Sequence, residues 1–208
     1  MIRALATAGC VALLAGCSVG VPPVDDDRAG TSPPRSNVDV DTPELREAKA
    51  VAGIEPCRPG PATSPPPSDP LPDVTLPCLG GGPAVELSDL RGPVVVNLFA
   101  QWCEPCRDEL PYYQRLHEEG GDDVSVLGID YLDTQPEGAI ELARATGVTF
   151  PLLADPDGAL RSELRVRGLP GVVLVDADGQ VAHVEYTVMR SYRQLTELVT
   201  EQLGVTVS

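Results

Sequence analysis

A run of β-branched and apolar residues breaks off into a pair of cysteines in PVVVNLFAQWCEPCRDELP, residues 93–111. Residues 93–100 are apolar without alternation, which predicts a central strand buried on both faces. From Pro105 to about His117 the pattern turns helical. Cys106, Leu110, Tyr113 and His117 fall on one face, and Pro111, with no N–H to donate, is expected to bend the helix. A buried strand that runs straight into a helix restricts the chain to a layered α/β arrangement. The downstream pattern agrees with this. Residues 124–131 read as a second buried strand, 136–147 as a helix closed by Gly147, and 155–166 as a short helix opened by Asp residues. GVVLVDADGQVAHVEY, 171–186, reads as two strands around a DADG turn. Residues 191–204 close the pattern as an amphipathic helix with a Ser cap and a terminal Gly.

The C-x-x-C spacing at the start of a helix carries its own chemistry. The first cysteine sits where the helix dipole and free backbone N–H groups stabilise an anion, which favours a Cys103 thiolate. Cys106, one turn further in, is buried and less acidic. Cys103 is therefore the expected nucleophile in disulfide exchange, and Cys106 the resolving thiol. Pro105 sets φ for the first turn without losing a donor. Glu104 points outward and tunes the pair's potential. Glu109, three residues beyond Cys106, projects from the same side of the helix. A carboxyl there raises a neighbouring thiol's pKa or carries its proton; the alternative is a solvated helix charge. Trp102 either shields the sulfurs or packs in the core.

The rest of the chain divides by composition. Residues 1–16 carry Arg3, then a short apolar stretch, then LLAGC, and read as a targeting segment too short to span a bilayer comfortably. Residues 17–72 are rich in Pro, Ser, Asp and Gly and read as a disordered Pro-rich tether. A short helix over PELREAKAVAG, 43–53, is a minor alternative there. Residues 73–208 are one domain's worth of chain. Six cysteines are present. Cys10 would leave with the targeting segment. Cys57 and Cys78 remain beside the C-x-x-C pair, either as a structural disulfide or as two free thiols, since spacing does not fix connectivity. The formal net charge of −16 argues against nucleic acid and against docking on anionic lipid. His117 and His183 are the only histidines, and neither has ligand spacing with Cys103, so no metal site is expected.

Two resemblances extend this reading. LLAGC resembles the lipobox of bacterial lipoproteins, which implies cleavage before Cys17, a lipid on its sulfur, and a membrane-anchored extracytoplasmic protein. WCEPC after VVVNLFAQ, with RDELP and then VRGLP before GVVLVDADGQVAHV, resembles the thioredoxin-like disulfide reductases of the TlpA/ResA type over about residues 73–204. That resemblance implies a thioredoxin-like mixed sheet flanked by helices, with an extra N-terminal hairpin and a central helical insert at about 132–151. It implies that Pro170 is a cis-proline beside the active disulfide, and that Leu169 offers its backbone to an extended substrate. It also implies that the acid function moves to Glu109, Asn97 standing where ordinary thioredoxins have Asp. The expected activity is thiol–disulfide exchange without a cofactor, working as a reductant. The expected partners are a protein disulfide such as that of apocytochrome c, and a membrane thiol donor. An oxidase or isomerase, a peroxidase-like redoxin and a copper carrier are the alternatives. PGVVLVD and YTVMRS depart from the family pattern by lacking, respectively, a Thr and Phe and a glycine near the substrate surface.

Overall fold

The structure is a computed structural model that describes residues 36–60 and 67–207. The expected targeting segment, Cys17 and, of the expected tether, residues 17–35 and 61–66 lie outside the described residues.

Five strands form the main sheet, in the order β5-β4-β3-β6-β7. They are β3 (Val94–Phe99), β4 (Ser125–Tyr131), β5 (Leu152–Asp155), β6 (Gly171–Val175) and β7 (Val181–Glu185). Every residue of β3 is buried, and the strand is central, parallel to β4 and antiparallel to β6. The continuous Val/Leu/Phe pattern has this cause: both faces of the strand meet apolar cores. Val95 and Phe99 face one cluster, Val96 and Leu98 the other. Two short antiparallel strands, β1 (Thr75–Leu76) and β2 (Val85–Glu86), make the N-terminal hairpin.

The helices are α1 (Pro43–Ala52), α2 (Glu104–Gly120), α3 (Pro136–Thr146), the single-turn α4 (Leu160–Glu163) and α5 (Tyr192–Leu203). The cap chemistry follows the sequence: Ser191 Oγ accepts from Gln194 N, and Gly204 ends α5 in the left-handed region. Helix α2 continues through Pro111 to Gly120 rather than ending near His117. Pro111 is exposed, so water can take the carbonyl that its missing N–H leaves unpaired. α3 supplies the central helical insert.

Two expectations are corrected. Residues 155–166 do not form one helix. LLAD is strand β5, and Asp155 turns the chain by accepting from Ala159 N at 2.7 Å and Leu160 N at 3.0 Å. Local side-chain hydrogen bonding thus competes with helix formation, and only one turn of α4 remains. The second correction is larger. The boundary expected at residue 73 falls inside the folded body. Helix α1 buries Leu45 and is followed by buried Ile54 and Cys57; Val40 and Leu71 are buried as well. Thr42 caps α1 through Leu45 N, and Gly53 closes it. The composition of 17–72 averaged a few well-placed anchors into a polar background and hid them. α1 packs on α3 and also lies against the loop Gly80–Gly81–Gly82, all three at positive φ. A Cβ on Gly80 would stand 2.9 Å from the Leu45 carbonyl oxygen and 2.9 Å from Lys49 Cβ, so glycine is what lets the helix come this close.

Candidate active site

Strand β3 delivers the chain to the cysteines through the turn Ala100–Trp102, where Cys103 N donates to Ala100 O at 3.1 Å. Cys103 is the N-cap of α2, and its Sγ accepts from Cys106 N at 3.3 Å. The two sulfurs form a disulfide with Cα atoms 5.3 Å apart. Cys103 keeps 5% of its surface open and Cys106 none. The outer sulfur is thus the one a partner can reach. On reduction it would lie against the free N–H groups of a 17-residue helix, where an anion is favoured. Glu104 and Pro105 are exposed at the first turn. Trp102 is 56% exposed, which removes core packing as its role and leaves an aromatic surface beside Cys103.

Glu109 is fully buried, so it is no solvated helix charge. Its Oε1 accepts from Asn97 Nδ2 at 3.2 Å and its Oε2 from Met189 N at 2.8 Å. Burial pushes its pKa up to about 7, against the opposing pull of those two hydrogen bonds. Below it on the same helix face, the Tyr113 phenol is held well above its ordinary pKa by burial first and the Glu109 charge second.

The Leu169–Pro170 peptide bond is cis. Leu98 pairs with Gly171, so the antiparallel register brings Pro170 opposite Phe99, at the end of β3 that leads to the cysteines. Pro170 is buried and Leu169 partly so. His117 is about 20 Å from Cys103 along α2 at 1.5 Å per residue; its Nε2 is 3.0 Å from Glu55 Oε1. His183 lies on β7, opposite Leu174. Among the described residues no three His, Cys, Asp or Glu side chains gather into a metal-holding group.

Sequence reasoning missed three residues here. Met189 reaches Glu109 through a backbone N–H, for which side-chain identity gives no signal, although the segment containing it, YTVMRS, is where the family pattern departs. Asp133 Oδ2 accepts from Gln101 N at 2.8 Å and its Oδ1 from Gln135 N at 2.9 Å, holding the turn that enters α2. Asp130 is buried beside it and kept well above the usual carboxylate range, by burial and then by the Asp133 charge. An acid at the end of an apolar strand, GIDYLD, was the available signal.

Cys57 and Cys78 are also joined, with Cα atoms 5.9 Å apart. The bridge ties the segment after α1 to the loop after β1.

A thioredoxin-like fold with a C-x-x-C disulfide at the start of its second helix defines the class, and comparison with known proteins gives the family. Residues 67–184 match the AhpC/TSA family, and the chain belongs to it. It is 35% identical over 113 residues to the thiol:disulfide interchange protein DsbE of Pseudomonas fluorescens biotype C, covering 54% of this chain and 62% of that protein. It is 32% identical over 108 residues to the thiol-disulfide oxidoreductase ResA of Bacillus subtilis (strain 168), covering 50% and 58% respectively. The matched region therefore spans about three fifths of these relatives' length. The solved structure of MTB dsbF in its mixed oxidized and reduced forms superposes with a TM-score of 0.56 at 29% identity, over 62% of this chain and 95% of that one.

Proposed function

We propose that this protein is an extracytoplasmic thiol–disulfide oxidoreductase, acting as a reductant of disulfides in partner proteins. The observation that carries the reading is the combination of an accessible N-cap sulfur, a buried partner sulfur and a buried carboxyl that changes charge near pH 7. In the reduced enzyme the Cys103 thiolate attacks one sulfur of the partner's disulfide. A mixed disulfide forms, and the partner's other sulfur leaves as a thiolate. Cys106 then passes its proton to the Glu109 carboxylate and attacks Cys103 Sγ, which expels the partner's second thiolate. Both electrons reach the partner, and the Cys103–Cys106 disulfide remains to be reduced again by a membrane thiol donor. Trp102, Leu169 and Pro170 form the surface on which the partner strand lies, its backbone meeting that of Leu169. Glu104 and Pro105 tune the potential.

The substrate class is an extended C-x-x-C segment such as the haem-attachment site of apocytochrome c. The names of the relatives, thiol:disulfide interchange protein and thiol-disulfide oxidoreductase, support exchange. A lipid on Cys17 would hold the protein at the outer face of the membrane, and the LLAGC motif supports this. Loss of membrane fractionation in Cys17→Ala is the expected result.

The deciding experiment is the reduction potential of the Cys103/Cys106 couple, paired with insulin reduction and peroxide turnover. A reductant falls near the ~ −270 mV of thioredoxin. A potential near the ~ −120 mV of strong oxidases overturns the reductant reading, and fast peroxide turnover with slow insulin reduction replaces it by a peroxidase.

A further inference from the structure

The second disulfide sits in surroundings that suit its reduced form better than its oxidised one. Lys49, on α1, is 93% removed from solvent, with a relative exposure of 7%. Its Nζ donates to Cys78 Sγ at 2.9 Å and to Gly81 O at 3.0 Å. Among the described residues it forms no ion pair with a carboxylate. Asp41, the acid whose charge reaches it, is engaged by Arg46 at 2.7 Å. A buried ammonium normally demands an anion, and a disulfide sulfur is a neutral, weak acceptor. A Cys78 thiolate at the same position would supply the missing charge.

The other sulfur shows the same bias independently. Cys57 Sγ lies 3.2 Å from the Leu152 carbonyl oxygen. In the disulfide no hydrogen joins them; in the dithiol the Cys57 S–H would donate to that oxygen. Each product of reduction therefore finds a partner already in place. Stabilising the reduced form raises a couple's potential and makes the bridge labile, whereas structural bridges lie lower.

We infer that Cys57–Cys78 is a second redox centre, exchanging with small dithiols, in which Cys57 is the sulfur attacked and Cys78 the leaving group received by Lys49. Cys57 and Cys78 are equally buried, but both chain neighbours of Cys57, Pro56 and Arg58, are exposed, while Cys78 Sγ lies against Lys49 Nζ and Gly82. An incoming thiolate bonds to Cys57 Sγ, the S–S bond breaks, and its electron pair goes to Cys78. The second thiol of the reductant then attacks the mixed disulfide, releasing Cys57, which takes a proton. Two electrons pass from the dithiol, which leaves as a disulfide.

The test uses the full chain carrying Cys103→Ser and Cys106→Ser, so that it stands apart from the exchange proposed above. Dithiothreitol redox buffers set the poise, differential alkylation with peptide mass analysis reads Cys57 and Cys78, and far-UV circular dichroism reports folding. The bridge is expected to open while the protein stays folded. Lys49→Met is expected to shift the dithiol–disulfide equilibrium at least tenfold toward the disulfide, about 30 mV for a two-electron couple, and Lys49→Arg far less. An unchanged equilibrium in Lys49→Met, or opening only with unfolding, overturns the inference. Should Lys49→Met fail to fold, the same background with Cys57→Ala decides. Iodoacetamide labelling of Cys78 should then titrate clearly below the ~8.5 of a free thiol, and titration at or above that value overturns it.

Discussion

The two disulfides differ in what stabilises the anion each would release and in what surrounds the sulfurs. At Cys103 the positive element is backbone, the open N–H groups of α2. At Cys78 it is a side chain, the ammonium of Lys49. Cys103 stands beside an exposed tryptophan, whereas Cys57 and Cys78 pack in an apolar cluster with Leu71, Leu76 and Val85, with Lys49 of α1 against Cys78. A shared device, a thiolate placed against positive charge, thus serves two kinds of encounter.

The comparison breaks first at the nucleophile. Cys103→Ser should lower insulin reduction by about 10³-fold or more, since removing an attacking group costs the whole covalent route. The double variant Cys57→Ala/Cys78→Ala should lower it far less. An equal loss in both would show that the two bridges act as one system. Leu45→Ala is next. It empties a fully buried site on α1 and should cost about 2–5 kcal/mol in denaturant unfolding, while raising the rate at which dithiothreitol reaches Cys57. An unchanged rate would mean that α1 does not guard the bridge.

Glu109 sharpens the same contrast through pH. Its folded pKa, about 7, is above its ordinary value of 4.5. Between those two pH values the native state holds more protons than the unfolded state, so stability falls as pH rises through the window. The loss is on the order of 3 kcal/mol and is complete above the folded pKa. Glu109→Gln should remove that slope in chemical unfolding curves and flatten the pH profile of insulin reduction near 7. It should leave the Cys57–Cys78 equilibrium where it was. Trp102→Ala is the smallest in stability, below about 0.5 kcal/mol for an exposed side chain. It should raise KM for a protein disulfide more than for a small one.

How far the sequence revealed these regions follows from what each depends on. β3 and the start of α2 were legible because an unbroken apolar run and a C-x-x-C spacing are local signals. Helix α5 was legible through Ser191 and Gly204. The helix over 43–53 stood only as an alternative to a disordered tether, although the structure forms it as α1, and the burial of residues 40–57 was not legible. Val40, Leu45 and Ile54 are single anchors in one cluster with Leu79, Ile140 and Ala143, and Cys57 is tied to Cys78, partners far along the chain that no window of composition includes. β5 was lost because Asp155 looks like a helix opener until its backbone partners are seen. At the site, Cys103 and Cys106 were readable from spacing, and Glu109 was placed on the right face but with its burial undecided. Met189 acts through its backbone amide, which carries no residue identity, and Asp133 acts through its carboxylate on the amides of Gln101 and Gln135, partners that only the fold brings to it.

The notch beneath α1 has a practical consequence. The atoms nearest to where Gly80 would carry a side chain belong to the helix, so the two pieces fit each other. A shortened chain beginning at residue 73 would expose that notch as an apolar hollow and leave Cys78 single, ready to join two molecules through their surfaces. One beginning near residue 36 would carry its own lid and would remain a single species on a sizing column.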